Sequence, residues 1–163
     1  VVIYVKIVYN YITNIYPLPK EEITMIQLIV GAKGKGKTKI LLDKVNTEIK
    51  DAHGSIVYLD KSTKHMYELN NKIRLINVAD YLITNSDEFL GFICGIVSQD
   101  HDLQKMFFDS FLNISCLEGK DITAVIQKLE AISDKFLVDF VLSVSADENE
   151  LPEDVRSKII VSL

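Results

Sequence analysis

The sequence predicts an α/β fold in three layers, with a mostly parallel sheet of about five strands and helices on both faces. Two observations predict it. Short apolar runs rich in β-branched residues alternate along the chain with segments whose apolar residues recur at helical spacing. The chain of 163 residues is 48% apolar and 25% charged with only 3 prolines, which fits one globular domain and excludes a disordered chain.

Residues 25–30 read as the first strand, a short apolar run ending in Ile29 and Val30. A glycine-rich stretch follows, and residues 39–50 place Ile40, Leu41, Val45 and Ile49 on one helical face. The turn cluster 51–54 leads into a second strand, 55–60, which ends in Asp60. Residues 61–71 are polar and predict a short helix or loop, and 73–78 a weaker third strand. Ser86 is placed to cap a helix reaching about Val97, with Phe89, Phe92, Ile93 and Ile96 on its core face. A strand over 103–110 carries Asp109 at its carboxyl end. The helix over 121–136 is the clearest in the chain, with Ile122, Val125, Ile126, Leu129 and Ile132 in register. Residues 138–145 form the last strand, and Pro152 suits the first turn of a closing helix to about Ile159.

Residues 1–24 stand apart. They are apolar but interrupted by Lys6, Asn10 and Asn14, with neither a basic leader nor a small-residue cleavage site. Met25, the first methionine, stands immediately before the first strand, and Lys20, Glu21 and Glu22 can be encoded by a ribosome-binding sequence. The expectation is that 1–24 is not native to the protein, the alternative being an extra N-terminal strand or membrane-associating segment. Residues 25–163 then form a single domain.

Gly31, Ala32, Lys33, Gly34, Lys35, Gly36, Lys37 and Thr38 satisfy the pattern G-x-x-x-x-G-K-[ST] at every required position, between a buried strand and a helix. Glycines let the backbone take positive φ, so that successive N–H groups point into one concave nest suited to anionic oxygens. The helix behind adds unpaired N–H donors and the positive end of its dipole. In such a loop Lys37 would sit on the β- and γ-phosphates and the Thr38 hydroxyl would coordinate Mg²⁺.

These eight residues resemble the Walker A motif of the P-loop NTPase superfamily. The resemblance implies the three-layer P-loop fold, ATP and Mg²⁺ as ligands, and a carboxylate ending a buried strand near the loop to hold the magnesium. The chain also looks faintly similar to small bacterial ATP-binding proteins labelled twitching-motility ATPases. It lacks the further acidic and histidine-containing motifs of that group. Position 32 is alanine, whereas the deviant loop of partitioning ATPases carries lysine there.

In parallel sheets ligands sit beyond the carboxyl ends of the strands, and this sorts the aspartates. Asp109 is the first choice for the metal-holding carboxylate and Asp60 the runner-up; Asp139 starts its strand and belongs at the wrong end. Many strand-inserted P-loop ATPases carry a glutamate after that aspartate to polarise the attacking water, where this chain has Ser110. Arg74 and Arg156 are its two arginines, each expected to be an ordinary surface or packing residue rather than an arginine finger. Ser143, Ser145 and Asp147 are candidates for sensing a γ-phosphate.

A net charge of -5 argues against a domain that grips nucleic acid, although Lys33, Lys35, Lys37 and Lys39 gather positive charge around the loop. Cys94 and Cys116 form no C-x-x-C pair, which suggests a reduced, cytoplasmic protein. His53, His65 and His101 are scattered, so each is expected on a surface or loop with no structural metal site.

Three functions compete. The first is ATP binding with weak or partner-stimulated, Mg-dependent ATPase activity, in which Lys37 and Asp109 act in catalysis. The second is a binding-only switch or assembly module, supported by Ser110. The third is a small nucleoside or metabolite kinase, disfavoured by the shortage of arginines for a lid. ATP is preferred over GTP because no N-K-x-D tetrapeptide is present: Arg74 stands where Asn71 and Lys72 would need an aspartate. A protein partner or homo-oligomer is expected; no membrane span is.

Overall fold

The computed structural model describes residues 26–163. The expectation for residues 1–24 lies outside these, as does Met25 at the head of the first strand. The chain runs β1 (Ile26–Val30), α1 (Lys37–Glu48), β2 (Ser55–Asp60), β3 (Arg74–Asn77), α2 (Ser86–Gln99) and β4 (Leu103–Phe108). It continues through α3 (Phe111–Ile114), α4 (Thr123–Phe136), β5 (Asp139–Val144), α5 (Glu153–Arg156) and β6 (Ile159–Ser162). Short 3₁₀ turns occupy Val78–Asp80 and Glu148–Glu150.

Among the described residues the strands form one six-stranded sheet in the order β3-β2-β4-β5-β1-β6, and every neighbouring pair is parallel. The reason is visible in the strands themselves. Leu28 and Val30 turn to one face and Ile29 to the other, and all three are fully buried. A strand apolar on both sides needs cover on both sides, which the crossover helices of parallel pairs supply. Leu41, Leu42 and Val45 of α1 cover one face, against Ile29, Tyr58, Phe107 and Val141. The larger core lies on the opposite face, where Phe89 and Ile93 of α2 and Ile126 and Leu129 of α4 meet Phe108, Phe140 and Leu142. The predicted α/β class with helices on both faces is what the molecule shows.

Three local expectations change. The closing helix ends at Arg156, and Ile159–Ser162 instead forms the sixth strand, paired in parallel with β1. A run of two isoleucines and a valine suits an extended edge that seals β1 better than a helix. The helix over 86–99 is capped by Asn85, whose side chain accepts from the Glu88 N–H at 2.9 Å, so Ser86 is its first residue and not its cap. Residues 61–71 form turns, the loop of the two expected alternatives. The short helix Phe111–Ile114 was not anticipated. No helix among the described residues is long and apolar enough to cross a membrane.

Candidate functional site

With all six strands parallel, the segments leaving β1, β2, β4 and β5 emerge at one end of the sheet. They bound an open cleft of about 790 Å³.

The glycine-rich loop forms one wall. Gly34 and Gly36 have φ of 83° and 93°, values that favour glycine, and a Cβ at either would meet no atom within 4 Å. The requirement at both is therefore conformational and not steric. Gly36 caps α1, so Lys37 and Thr38 fall in its first turn. The buried Lys37 ammonium folds back across the loop and donates to the carbonyls of Gly31 at 2.6 Å and Ala32 at 2.8 Å. Burial pulls its pKa below the ordinary lysine value, assisted by the charge of Lys33 and opposed by Asp109. Ala32, Lys33 and Lys35 are exposed, and Lys33 reaches Glu118 at 3.5 Å.

The opposite wall centres on Asp109, which follows β4 and is 2% exposed. Its Oδ1 accepts from the Thr38 hydroxyl at 3.1 Å, the Ser110 N–H at 2.8 Å and the Ser143 hydroxyl at 2.8 Å. Its Oδ2 accepts from the Tyr58 hydroxyl at 3.1 Å. Burial, and then the charge and hydrogen bond of Asp109, push the Tyr58 phenol well above its ordinary pKa, so it stays a donor. Ser110 takes a left-handed conformation, φ 52°, that lets its N–H point at both Asp109 and the Ser143 oxygen, 2.9 Å away.

Asp60 ends β2 beside Asp109 and is equally buried. The Lys61 N–H donates to its Oδ1 at 2.7 Å, while its Oδ2 has no hydrogen-bond partner among the described residues. Burial raises its pKa, the neighbouring Asp109 charge raises it further, and the Lys61 N–H opposes both.

The structure thus brings Lys37, Thr38 and Asp109 together, with Asp60 alongside. No protein-family profile matches this chain, and no curated protein matches it. Ser143 meets Asp109 directly and Ser145 lines the cleft, whereas Asp147 caps the turn that follows β5, reciprocally with Glu150. Arg74 and Arg156 do not line the cleft. Asp139 lies at the other end of the sheet, with Lys105 at 3.4 Å, as its place at the start of β5 dictates.

Several cleft residues escaped the sequence reading, three of them on the segment after β2. Lys61, Lys64 and His65 line the cleft, and His65 does so from the loop on which it was expected. The available signal was position: all three directly follow a strand that ends on the ligand side. Chemically, the lysines and loop amides suit an anionic, oxygen-rich ligand, and the hydroxyl and carboxylate of Thr38 and Asp109 could hold a hard cation.

Proposed function

We propose that this chain is a P-loop NTPase that binds ATP with magnesium in this cleft and hydrolyses it weakly, or under stimulation by a partner. The observation that carries the proposal is the hydrogen bond between Thr38 and Asp109, which joins residues 71 apart in sequence. It links the loop threonine to a strand-end aspartate, the pair that magnesium binding in such a site requires. It also favours Asp109 over Asp60 as that carboxylate. β5 lies between β1 and β4, in keeping with the strand-inserted branch of the superfamily.

Bound magnesium would supply neutralisation of charge on the phosphoryl oxygens. The protein's own part is electrostatic and positional. Lys37 would exchange the Gly31 and Ala32 carbonyls for phosphate oxygens, and loop N–H groups would orient them. Ser143 and Tyr58 hold the Asp109 carboxylate in place. Lys61 and Lys64 also line the cleft and would add positive charge to it.

The binding-only reading is favoured by a specific observation. Ser110 stands where a water-polarising glutamate is expected, and its N–H is tied to Asp109 and Ser143.

Phosphate release from Mg·ATP by the full chain, beside Lys37→Ala and Asp109→Ala, tests the hydrolytic reading. Turnover above background that both substitutions abolish is expected. Turnover that survives Lys37→Ala would overturn it, and ATP binding without turnover would leave the switch reading in its place.

A further inference from the structure

We propose that Asp60, His65 and Asp109 form a binding site for one divalent first-row transition-metal ion, which shares Asp109 with the magnesium site inferred above but draws its other ligands from Asp60 and His65. Each offers one ligand atom, and these atoms lie within 4.8 Å of one another. The two aspartates end adjacent parallel strands, and His65 comes from the loop between β2 and β3.

Asp60 supplies the observation that points to a ligand. A carboxylate 2% exposed has one oxygen on the Lys61 N–H and the other, Oδ2, on nothing among the described residues. A buried carboxylate oxygen without a partner is costly, and folded proteins rarely leave one so. Here the neighbouring groups are a second carboxylate and an imidazole, which cannot both satisfy it as donors but can share a cation with it.

The other two residues are prepared in the same sense. Asp109 has three donors on Oδ1 but a single one, Tyr58, on Oδ2, which leaves acceptor capacity there. His65 places Nδ1 2.7 Å from the Glu68 carboxylate, which can only accept, so Nδ1 donates there and in the neutral ring Nε2 is the nitrogen available to a metal. A carboxylate behind a histidine is the usual device for orienting the ring and raising its basicity toward a metal.

Donor chemistry selects the ion. Two carboxylates with one imidazole suit zinc, manganese, iron or cobalt, whereas magnesium and calcium take oxygen ligands. Ligands about 2.1 Å from a tetrahedral ion stand roughly 3.4 Å apart, so the site must contract on binding. His65 is on the loop and can move, while the aspartates are fixed at strand ends. The cleft borders His65 and Asp109, which leaves further coordination positions open to water. The proposal does not rest on the nucleotide reading, although Asp109 is common to both, because it is argued from the unpartnered Asp60 oxygen and from His65.

The test uses the full chain, stripped with chelator and without nucleotide, titrated with Zn²⁺ by calorimetry and with Co²⁺ by visible absorption. One equivalent is expected to bind, with visible bands for the Co²⁺ form. His65→Ala and Asp60→Asn should each weaken binding at least about tenfold, while His53→Ala should leave it unchanged. Far-UV circular dichroism verifies folding, and His65→Ala, a loop change, covers the case in which the buried Asp60→Asn fails to fold. Absence of binding to the folded chain, binding insensitive to His65→Ala, or displacement of Zn²⁺ by equimolar Mg²⁺ would each overturn the proposal. Phosphate release plays no part in this readout, so either reading can fail without the other.

Discussion

At the scale of single residues, the cleft is built around holding one carboxylate still. Asp109 sits between Thr38, Ser110, Ser143 and Tyr58, so every donor it meets comes from a different segment of the chain. Tyr58 is the one donor on Oδ2 among the described residues and is fully buried. Tyr58→Phe keeps the ring, and so creates no cavity, but leaves that oxygen without its donor. The expected cost is about 1–3 kcal/mol, read from the urea midpoint at unchanged m-value. An unchanged midpoint would mean that the phenol does not anchor Asp109. Lys37, Thr38 and Asp109 were legible in the sequence because a fixed spacing and a strand end place each of them. His65, Lys61 and Lys64 were not, since the path of a turn-rich loop depends on tertiary contacts that spacing does not encode.

At the scale of elements, β1, β2, β4 and β5 were legible because burial on both faces gives each a run of at least three consecutive apolar residues, 28–30, 56–59, 106–108 and 140–142. β6 was missed because four residues after a proline-initiated turn carry no period of their own; pairing with β1 decides their conformation. The far end of the sheet shows how elements are pinned together. Lys105 of β4 lies 2.7 Å from Glu48 of α1 and 3.4 Å from Asp139 of β5, and Lys44 lies 2.8 Å from Glu48. Burial works to raise the Glu48 pKa, but hydrogen bonds from Lys105 and Lys44 outweigh it and hold the carboxyl below its ordinary 4.5. Its stabilisation is therefore present above pH 4.5 and is lost as pH falls through the lower, folded-state value. Asp139 has the opposite sign, because burial raises its pKa against the pull of Lys105. Its cost to folding is felt at neutral pH and is relieved as pH falls toward 3.8. The partly exposed Glu48 pair is worth about 1 kcal/mol after solvent screening. Glu48→Gln should cost that much in urea unfolding at neutral pH, and the cost should vanish in acid. A penalty that persists below the titration of Glu48 would assign it to packing instead of charge.

At the scale of the whole molecule, strand order explains how distant segments share one cleft. β5 separates β1 from β4, yet Thr38 reaches Asp109 because α1 packs over β5, with Leu41 and Val45 in the same core as Val141. The sheet's parallel sense was legible from the alternation of strands and helices, but its order was not, since no local period specifies which strand is inserted. Such a site belongs to the folded chain alone, and a ligand that binds only there must raise global stability. At a ligand concentration about 100 times Kd the gain is roughly 2.7 kcal/mol. For a domain of this size each kcal/mol moves Tm by about 2–4 °C. Saturating Mg·ATP should thus raise the melting temperature by roughly 5–10 °C. Omitting magnesium should shrink the rise, GTP should produce less of it, and Lys37→Ala should remove it. Because Lys37 also holds the Gly31 and Ala32 carbonyls, its replacement can move the starting Tm, so the ligand-induced difference is the quantity to compare. Hydrolysis is not required for this shift, provided a non-hydrolysable analogue reproduces it. A cooperative transition whose Tm stays fixed across the series would overturn nucleotide binding in both its hydrolytic and its switch forms.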